Sequence, residues 1–371
     1  MKIFKKITKI FLLFLCVVIV FGIGYVCYLQ FGYYRIGDEN IAINNNQENK
    51  IVLNSEYSIT TFNIGFGAYD RDYSFFMDKG YMSDGTETKG KYGKGVSKEN
   101  TLKNTNGCIA TLESLASDFM ILEEVDTKST RSYKVNQRDM IIDKFPNYSH
   151  TYAVNFHSGF LPYPILDMHG KSNSGILTLS KFNMVYSKRH ELPIDESFFN
   201  KFFDLDRCIN VIRYPIEGRS EMLTVISVHL SAYDEGGVYR RKQIELLSCI
   251  MQEEYNNGNY VVVGGDFNHD IAFGGSKFPT QQLKPDWIQV LSGNEFGLNF
   301  KIVSDNTNPS CRDADIPWEN GVTYATVVDG FIISDNIELL SVKNIVEVNG
   351  IDTNFMYSDH NPVMMKFKLK S

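Results

Sequence analysis

The sequence of 371 residues is short of several things, and each shortage excludes a class of protein. Only 10 residues are proline and 28 are glycine, too few for a linker-dominated or fibrous chain. No acidic residue occurs before Asp38, and no charge of either sign falls between Ile10 and Tyr34. An excess of positive charge is also missing. Four of the 37 basic residues precede the uncharged run, which leaves 33 against 44 acidic residues in the remainder, a net of −11. A body that acidic has no overall attraction for DNA or RNA, which counts against tight non-specific nucleic-acid binding. There is no repeat of fixed period, no H-E-x-x-H and no Walker lysine loop. Gly65–Phe66–Gly67 begins a G-x-G pattern that is not continued as a dinucleotide loop, and Gly170 to Ser174 lacks the last glycine of a nucleophile elbow. Of six cysteines, the four in the body (Cys108, Cys208, Cys249 and Cys311) form no C-x-x-C pair and have no histidine at zinc-finger spacing. They read as scattered buried thiols.

What is present begins with the uncharged run itself. About 20 apolar residues in a helix span a bilayer core, and Ile10 to Tyr34 is long enough. The run ends in Tyr25, Val26, Tyr28 and Leu29 rather than a small-x-small cleavage site, so it reads as an anchor and not a cleaved signal. Lys2, Lys5, Lys6 and Lys9 ahead of it place the N-terminus in the cytoplasm. The expected order is a basic cytoplasmic terminus over 1–9, a transmembrane helix over 10–34, a solvated stalk over 35–56 and a domain over 57–371. That domain would face outward from the cell membrane on a single-pass anchor.

The domain alternates short β-rich runs with helical patterns. Strands are expected at Tyr57–Phe62, Phe119–Leu122, Gly175–Leu179, Met184–Glu191, Cys208–Tyr214, Met222–Leu230, Tyr260–Gly264, Val327–Ile333, Glu338–Val346 and Pro362–Leu369. Ser97 can cap a helix running to about Ala116, a second is expected from Arg131 to about Phe145 ahead of Pro146, and a third from about Gly237 to Asn257. Residues 65–106 carry Tyr69, Tyr73, Phe75, Phe76, Tyr81 and Tyr92 with little periodicity. They read as a long excursion, either functional or a mobile surface insertion.

Five segments end a β-rich run in polar groups. TTFNIG ends at Asn63, DFMILEEV delivers Glu123 and Glu124, VISVHL delivers His229, YVVVGGDFN delivers Asp266 and Asn268, and YSDHNPV places Asp359 and His360 before the last strand. Strand ends beyond an apolar core are where α/β sheets put their sites. Taken singly, each is as ordinary as a solvated strand end or a turn. Together they supply what phosphoester hydrolysis needs. Asn63, Glu124 and Asp359 offer oxygen ligands suited to Mg²⁺, or Mn²⁺ in its place. His360 can take a proton from water if an acid such as Asp329 orients it. Asn268 and His229 can donate to developing negative charge, and Asp266 can steer the water.

These motifs, in this order, resemble the endonuclease/exonuclease/phosphatase superfamily with the pancreatic deoxyribonuclease fold, from about Ser58 to Lys370. GGDFN and SDHNPV are intact matches, and TFNIG, DFMILEEV, SVHL and VDGFIIS are similar to the remaining motifs. The resemblance implies an α/β fold, a four-layer sandwich of two mixed β-sheets flanked by helices. It also implies metal binding by Asn63, Glu124 and Asp359 and catalysis by His229, Asp266, Asn268, Asp329 and His360. Two departures stand out: Ser227 where the family often has asparagine, and Glu123 where it has glutamine. The second is expected to add a charge beside Glu124.

The resemblance does not name the substrate. Arg207 is a candidate phosphate contact, or else a surface arginine paired with Asp204 or Asp206. The segment from Asn155 to Gly175, rich in aromatics, is expected to wall the cleft. A nucleic acid, a nucleotide or a phospholipid remains open as the substrate. The expectation is a membrane-anchored, metal-dependent phosphodiesterase or nuclease. The alternatives are the same fold acting on phospholipid headgroups or phosphomonoesters, and a non-catalytic surface binding protein. No protein partner is predictable.

Overall fold

The computed structural model describes residues 2–371 apart from 199, 203–205, 233–236 and 273–277. Helix α1 spans Lys2–Gly32, and from Ile3 onward it is long and apolar enough to cross a membrane.

Two sheets stack face to face. The first has six strands in the order Ile337–Asn344, Val363–Leu369, Glu56–Asn63, Phe119–Asp126, Asn173–Ser180 and Ser149–His157. The second has seven, in the order Glu39–Asn40, Tyr186–Glu191, Cys208–Pro215, Met222–His229, Tyr260–Asp266, Asp329–Ser334 and Phe300–Val303. Each sheet has one parallel pair at its centre, Glu56–Asn63 with Phe119–Asp126 and Met222–His229 with Tyr260–Asp266; the other pairings are antiparallel. Both sheets are therefore mixed.

The layers follow from side-chain alternation along the strands. Val262 faces inward and joins Ile59, Phe119, Ile121, Ile212, Val225, Phe331 and Phe367 in the core between the sheets. Val261 and Val263 face outward and pack under α4 (Val238–Asn256) through Leu247, Ile250 and Met251. On the far side, Phe62, Met120, Leu122 and Leu179 pack beneath α2 (Lys98–Leu115) and α3 (Gln137–Lys144) through Ile109, Leu112 and Ile141. Fully burying one such side chain contributes about 1.5–3 kcal/mol, so the three layers of contact are the main stabilising term.

Local signals set the helix ends. The Ser97 side chain caps α2 by accepting from Asn100 N–H, and Ala116 closes it in the left-handed region. Helix α3 starts at Gln137 after the Asn136 cap, six residues later than the expected Arg131. The preceding turn is used elsewhere: Arg131 and Ser132 fold back onto Asp126, and Tyr133 and Lys134 take positive φ.

Three expectations change. The segment 35–56 is not a solvated stalk. Glu39 and Asn40 add a strand to the second sheet, Asn44 bridges to His150, and Ile51 is fully buried. The buried Arg189 holds its start by donating to the carbonyls of Ile36 and Gly37. The polar composition hid these contacts because many are made by backbone groups and by asparagine side chains such as Asn45 and Asn46, which bond Pro146 O and Met184 O. Among the body cysteines, Cys249 is exposed on α4, while Cys108, Cys208 and Cys311 are buried thiols. The excursion over 65–106 is built rather than loose: a hairpin pairs Lys79–Tyr81 with Glu87–Lys89, and Phe66, Tyr69 and Tyr73 form a small core with Ala314.

Candidate active site

The strand registers bring the polar ends together. In the second sheet His229 stands opposite Asp266, and Asp266 opposite Asp329. In the first, Asn63 stands opposite Glu123, and Thr61 opposite Val363, so Asp359 and His360 arrive at the same mouth. Two glycines make room for this. A side chain at Gly265 (φ +147°) would strike Val228 O at 2.0 Å, and one at Gly264 would strike Phe331 on the neighbouring strand at 2.8 Å and Ile121 of the facing sheet at 3.0 Å.

The eight predicted catalytic and metal residues gather around one cleft of about 540 Å³, lined by Asn63, Glu124, His229, Asp266, Asn268, Asp359 and His360 with Asp329 directly behind His360. His360 Nδ1 donates to Asp329 Oδ2 at 2.8 Å, and the same oxygen accepts from Ser310 Oγ at 2.7 Å. His360 Nε2 lies 3.8 Å from Asp266 Oδ2, and His229 Nε2 lies 3.6 Å from it on the other side. Asn63 Nδ2 donates to Asp266 Oδ2 at 3.1 Å and lies 3.5 Å from Glu124 Oε1. Its Oδ1 accepts Gly65 N–H. Asn268 donates from its backbone to Asp266 Oδ1 and from its side chain to Leu230 O, and it lines the cleft.

Two of these side chains sit on strained backbone. Glu124 (φ +54°) follows a register shift in its strand, and Asn268 (φ +49°) follows the Gly-Asp-Phe turn. The left-handed region costs a residue such as glutamate about 1 kcal/mol or more, while asparagine tolerates it. The bulge turns two adjacent glutamates to different sides.

Burial dominates the electrostatics. It works against a charged His360, but Asp329, Cys311 and Asp266 outweigh it and raise the imidazole well above the ordinary histidine value. Burial and then the Asp329 charge push Asp266 up to about 7. His229 goes the other way: burial, then the charges of Arg207 and His360, hold it well below the ordinary value, so it is a neutral donor. Glu123 is fully buried, with Thr61 Oγ1 donating to it at 2.8 Å. Burial and Asp329 push it well above the carboxylate range. The expected extra charge beside Glu124 is therefore not favoured. The neutral form is the favoured one for Glu123, and it has the shape and polarity of a glutamine.

The donor set fits a hard divalent cation. Asp359 is half-buried, and desolvation raises its pKa against the lowering charges of His360 and Arg312, with the neighbouring Glu124 adding to the rise. Two oxygen-rich side chains that repel each other across a cleft are suited to a cation of this kind, and Asn63, whose Nδ2 faces Glu124 and Asp266, lies beside them. Asp266, Asp329 and His360 also lie close enough together to act as ligands, but the His360–Asp329 hydrogen bond already occupies that pair.

Arg207 lines the cleft. Asp206 pairs instead with His157 and with Ile36 N–H, and Asp204 lies outside the described residues. The segment from Asn155 does wall the cleft, through Phe156, Gly159, Leu161, Tyr163 and His169, and the 65–106 excursion continues that wall through Tyr69, Phe75 and Phe76, with Phe75 and Phe76 packed against His169 and Tyr163. One further cleft residue escaped sequence reasoning. Arg131 binds Asp126 with two nitrogens, stacks 3.9 Å over Phe66 and reaches within 3.6 Å of Glu124 Oε2. Nothing near it in sequence signals this, because Phe66 and Phe156 reach it from distant segments.

No protein-family model and no curated protein sequence matches the chain. Solved structures do. An endonuclease/exonuclease/phosphatase family protein from Leptotrichia buccalis superposes with a TM-score of 0.54 at 15% identity, over 84% of this chain and 100% of that one. An endonuclease/exonuclease/phosphatase from Beutenbergia cavernae gives 0.53 at 14%, over 85% and 72%. ANGEL2, a 2',3'-cyclic phosphatase, gives 0.52 at 13%, over 90% and 99%. With two mixed sheets, flanking helices and these neighbours, the chain has the endonuclease/exonuclease/phosphatase fold.

Proposed function

We propose that the protein is a membrane-anchored phosphoester hydrolase that uses a divalent metal ion, Mg²⁺ or Mn²⁺, and attacks phosphorus directly with water. The observation that carries this reading is the Asp266–His360–Asp329 arrangement sharing one cleft with the Glu124 and Asp359 carboxylates, with Asn63 bonded to Asp266 between them. A bound cation would be held by Glu124, Asp359 and Asn63 and would stabilise negative charge on the phosphoryl group.

The chain's own groups do the rest. Asp329 fixes the His360 ring through Nδ1, which leaves Nε2 facing Asp266 and the cleft. The two are coupled, so the proton leaving the attacking water is taken by the His360–Asp266 pair as a unit. The water oxygen forms the new bond to phosphorus as the opposite P–O bond breaks. The leaving oxygen carries away that electron pair and is protonated from solvent. Neutral His229 and the second amide hydrogen of Asn268 donate to the phosphoryl oxygens, and Arg131 and Arg207 supply positive charge at the walls.

Retention of the anchor is supported by contacts from its end. Arg35 bonds Leu192 O and Glu196, and Lys201 bonds Gln30. The lysines before the span favour a cytoplasmic N-terminus and an extracellular domain.

The test is full-length protein in detergent with bis(4-nitrophenyl) phosphate, in Mg²⁺, Mn²⁺ or EDTA. Turnover is expected only with metal, and Asp266→Ala or His360→Ala should lower it by 10³-fold or more. Turnover that survives EDTA, or full activity in both variants, would sink the reading.

A further inference from the structure

The active-site cleft is partly walled by the membrane helix itself. Tyr25 and Leu29, one turn apart on α1, line the same cleft as Asp266 and His360. Tyr25 Oη donates to Phe160 O at 3.0 Å, and Phe160 N–H donates to Tyr28 Oη at 3.2 Å. Leu29 is buried against Gly159, where a side chain would approach its Cδ2 to 2.8 Å. These contacts fix the cleft's position along the span. About 20 residues counted from Ile10 cross the hydrocarbon, which ends the crossing near Leu29. The tyrosines at 25, 28, 33 and 34 then lie at the level where aromatic side chains meet the headgroups. The cleft mouth lies at that level too.

The surroundings match a bilayer surface. The segment from Ser158 to Leu166 carries no charged side chain, and at its tip Ile165 is 72% and Leu166 100% exposed. The tip belongs to a loop closed by the Leu161–Gly170 bridge, so it projects from the cleft wall as a unit. A second cavity of about 230 Å³, lined by Leu29, carries Lys171 and Lys201 together with Asp206 and with Arg35, which pairs with Glu191 and Glu196; its two lysines stand at the height of lipid phosphates. The body as a whole, at a net of −11, repels soluble polyanions.

We infer that the cleft opens onto the bilayer surface and takes the phosphoester headgroup of a membrane lipid, with the acyl chains left in the membrane beside Leu29 and the 158–166 loop. This rests on the phosphoester-hydrolase reading and names its substrate class. The headgroup phosphorus receives the water oxygen, and the P–O bond to the leaving alcohol breaks.

The test uses full-length protein in vesicles of phosphatidylcholine with phosphatidylglycerol and sphingomyelin, with bis(4-nitrophenyl) phosphate and a single-stranded DNA oligonucleotide offered in parallel. Release of a phosphorylated or free headgroup is expected, with no DNA cleavage at physiological salt. Ile165→Glu with Leu166→Glu should lower lipid turnover at least tenfold relative to turnover of the soluble diester. Separately, Leu166→Trp should be quenched by lipids brominated on the acyl chains, with the wild-type tryptophans as background. Turnover of the soluble diester or DNA without lipid turnover, an unchanged ratio in the double variant, or no quenching of Leu166→Trp would overturn this inference and leave the hydrolase reading standing. Failure on every phosphoester would bring down both.

Discussion

His360 Nδ1 donates to Asp329 Oδ2 at 2.8 Å, and Ser310 donates to the same oxygen from the side. That one hydrogen bond decides which imidazole nitrogen faces the cleft. Asp329→Asn keeps the shape but offers an amide hydrogen where a carboxylate accepted, so the ring loses its orientation. The expected result is a fall in kcat of about 10²–10⁴-fold with KM little changed. Steady-state kinetics on a soluble phosphodiester reads this directly. A variant within twofold of wild type would remove Asp329 from the mechanism.

The two adjacent glutamates should behave in opposite ways. Glu123 is buried, favours its neutral form and accepts from Thr61, so Glu123→Gln replaces an acid by its near-isostere. Activity within about threefold of wild type is expected, along with unchanged or slightly higher stability, because burying an ionisable group is costly. Glu124→Gln, one residue on, removes a charge from the cleft and should lower kcat/KM by about 10²-fold or more. Equal effects from the two would mean that the bulge does not separate their roles.

Much of this site was legible in the sequence because its residues sit at the ends of strands whose interiors are uniformly apolar. Phe119 to Leu122 and Tyr260 to Val263 read as buried strands, and the polar groups after them follow as strand ends. The strand Ser149–His157 was not legible. Its buried side includes Thr151 and Asn155, so alternation of burial is not alternation of hydrophobicity. The start of α3 was misplaced for a tertiary reason, since Asp126 claims Arg131 and Ser132. Arg131 was invisible as a cleft residue for the same reason. The contact between α1 and the cleft could not be read either, because the unbroken apolar run says that α1 is long and apolar enough to cross a membrane but not that Tyr25 and Leu29 also meet the domain.

Metal binding has a readout apart from catalysis. With Glu124 raising the already raised pKa of Asp359, a cation between them should stabilise the folded domain. At a hundredfold excess over its Kd a ligand contributes about 2.7 kcal/mol, enough for a rise of a few degrees in Tm. Differential scanning fluorimetry after EDTA treatment, with Mg²⁺ or Mn²⁺ added back, should show that rise. Glu124→Gln with Asp359→Asn should abolish it while the fold persists. A shift equal to wild type in the double variant would place the cation elsewhere.

The last prediction concerns stability away from the cleft. Glu254 on α4 receives Arg213 through two nitrogens, Thr224 Oγ1 at 2.8 Å and Asn259 Nδ2 at 2.8 Å. Burial alone would raise its pKa, but these partners, Arg213 first, overcome that and hold it below the usual glutamate range. A folded-state pKa below the unfolded one gives stability that is present above about pH 4.5 and is lost as pH falls through the folded value. At pH 7, Glu254→Gln should cost about 1–3 kcal/mol, since it weakens a buried acceptor of charge-assisted bonds. Below pH 4.5 the gap between the variant and wild type should narrow, because wild type then protonates the same group. Urea unfolding of the full chain in detergent across pH 3.5–7 measures the gap. A gap independent of pH would show that Glu254 acts through packing and not through its charge.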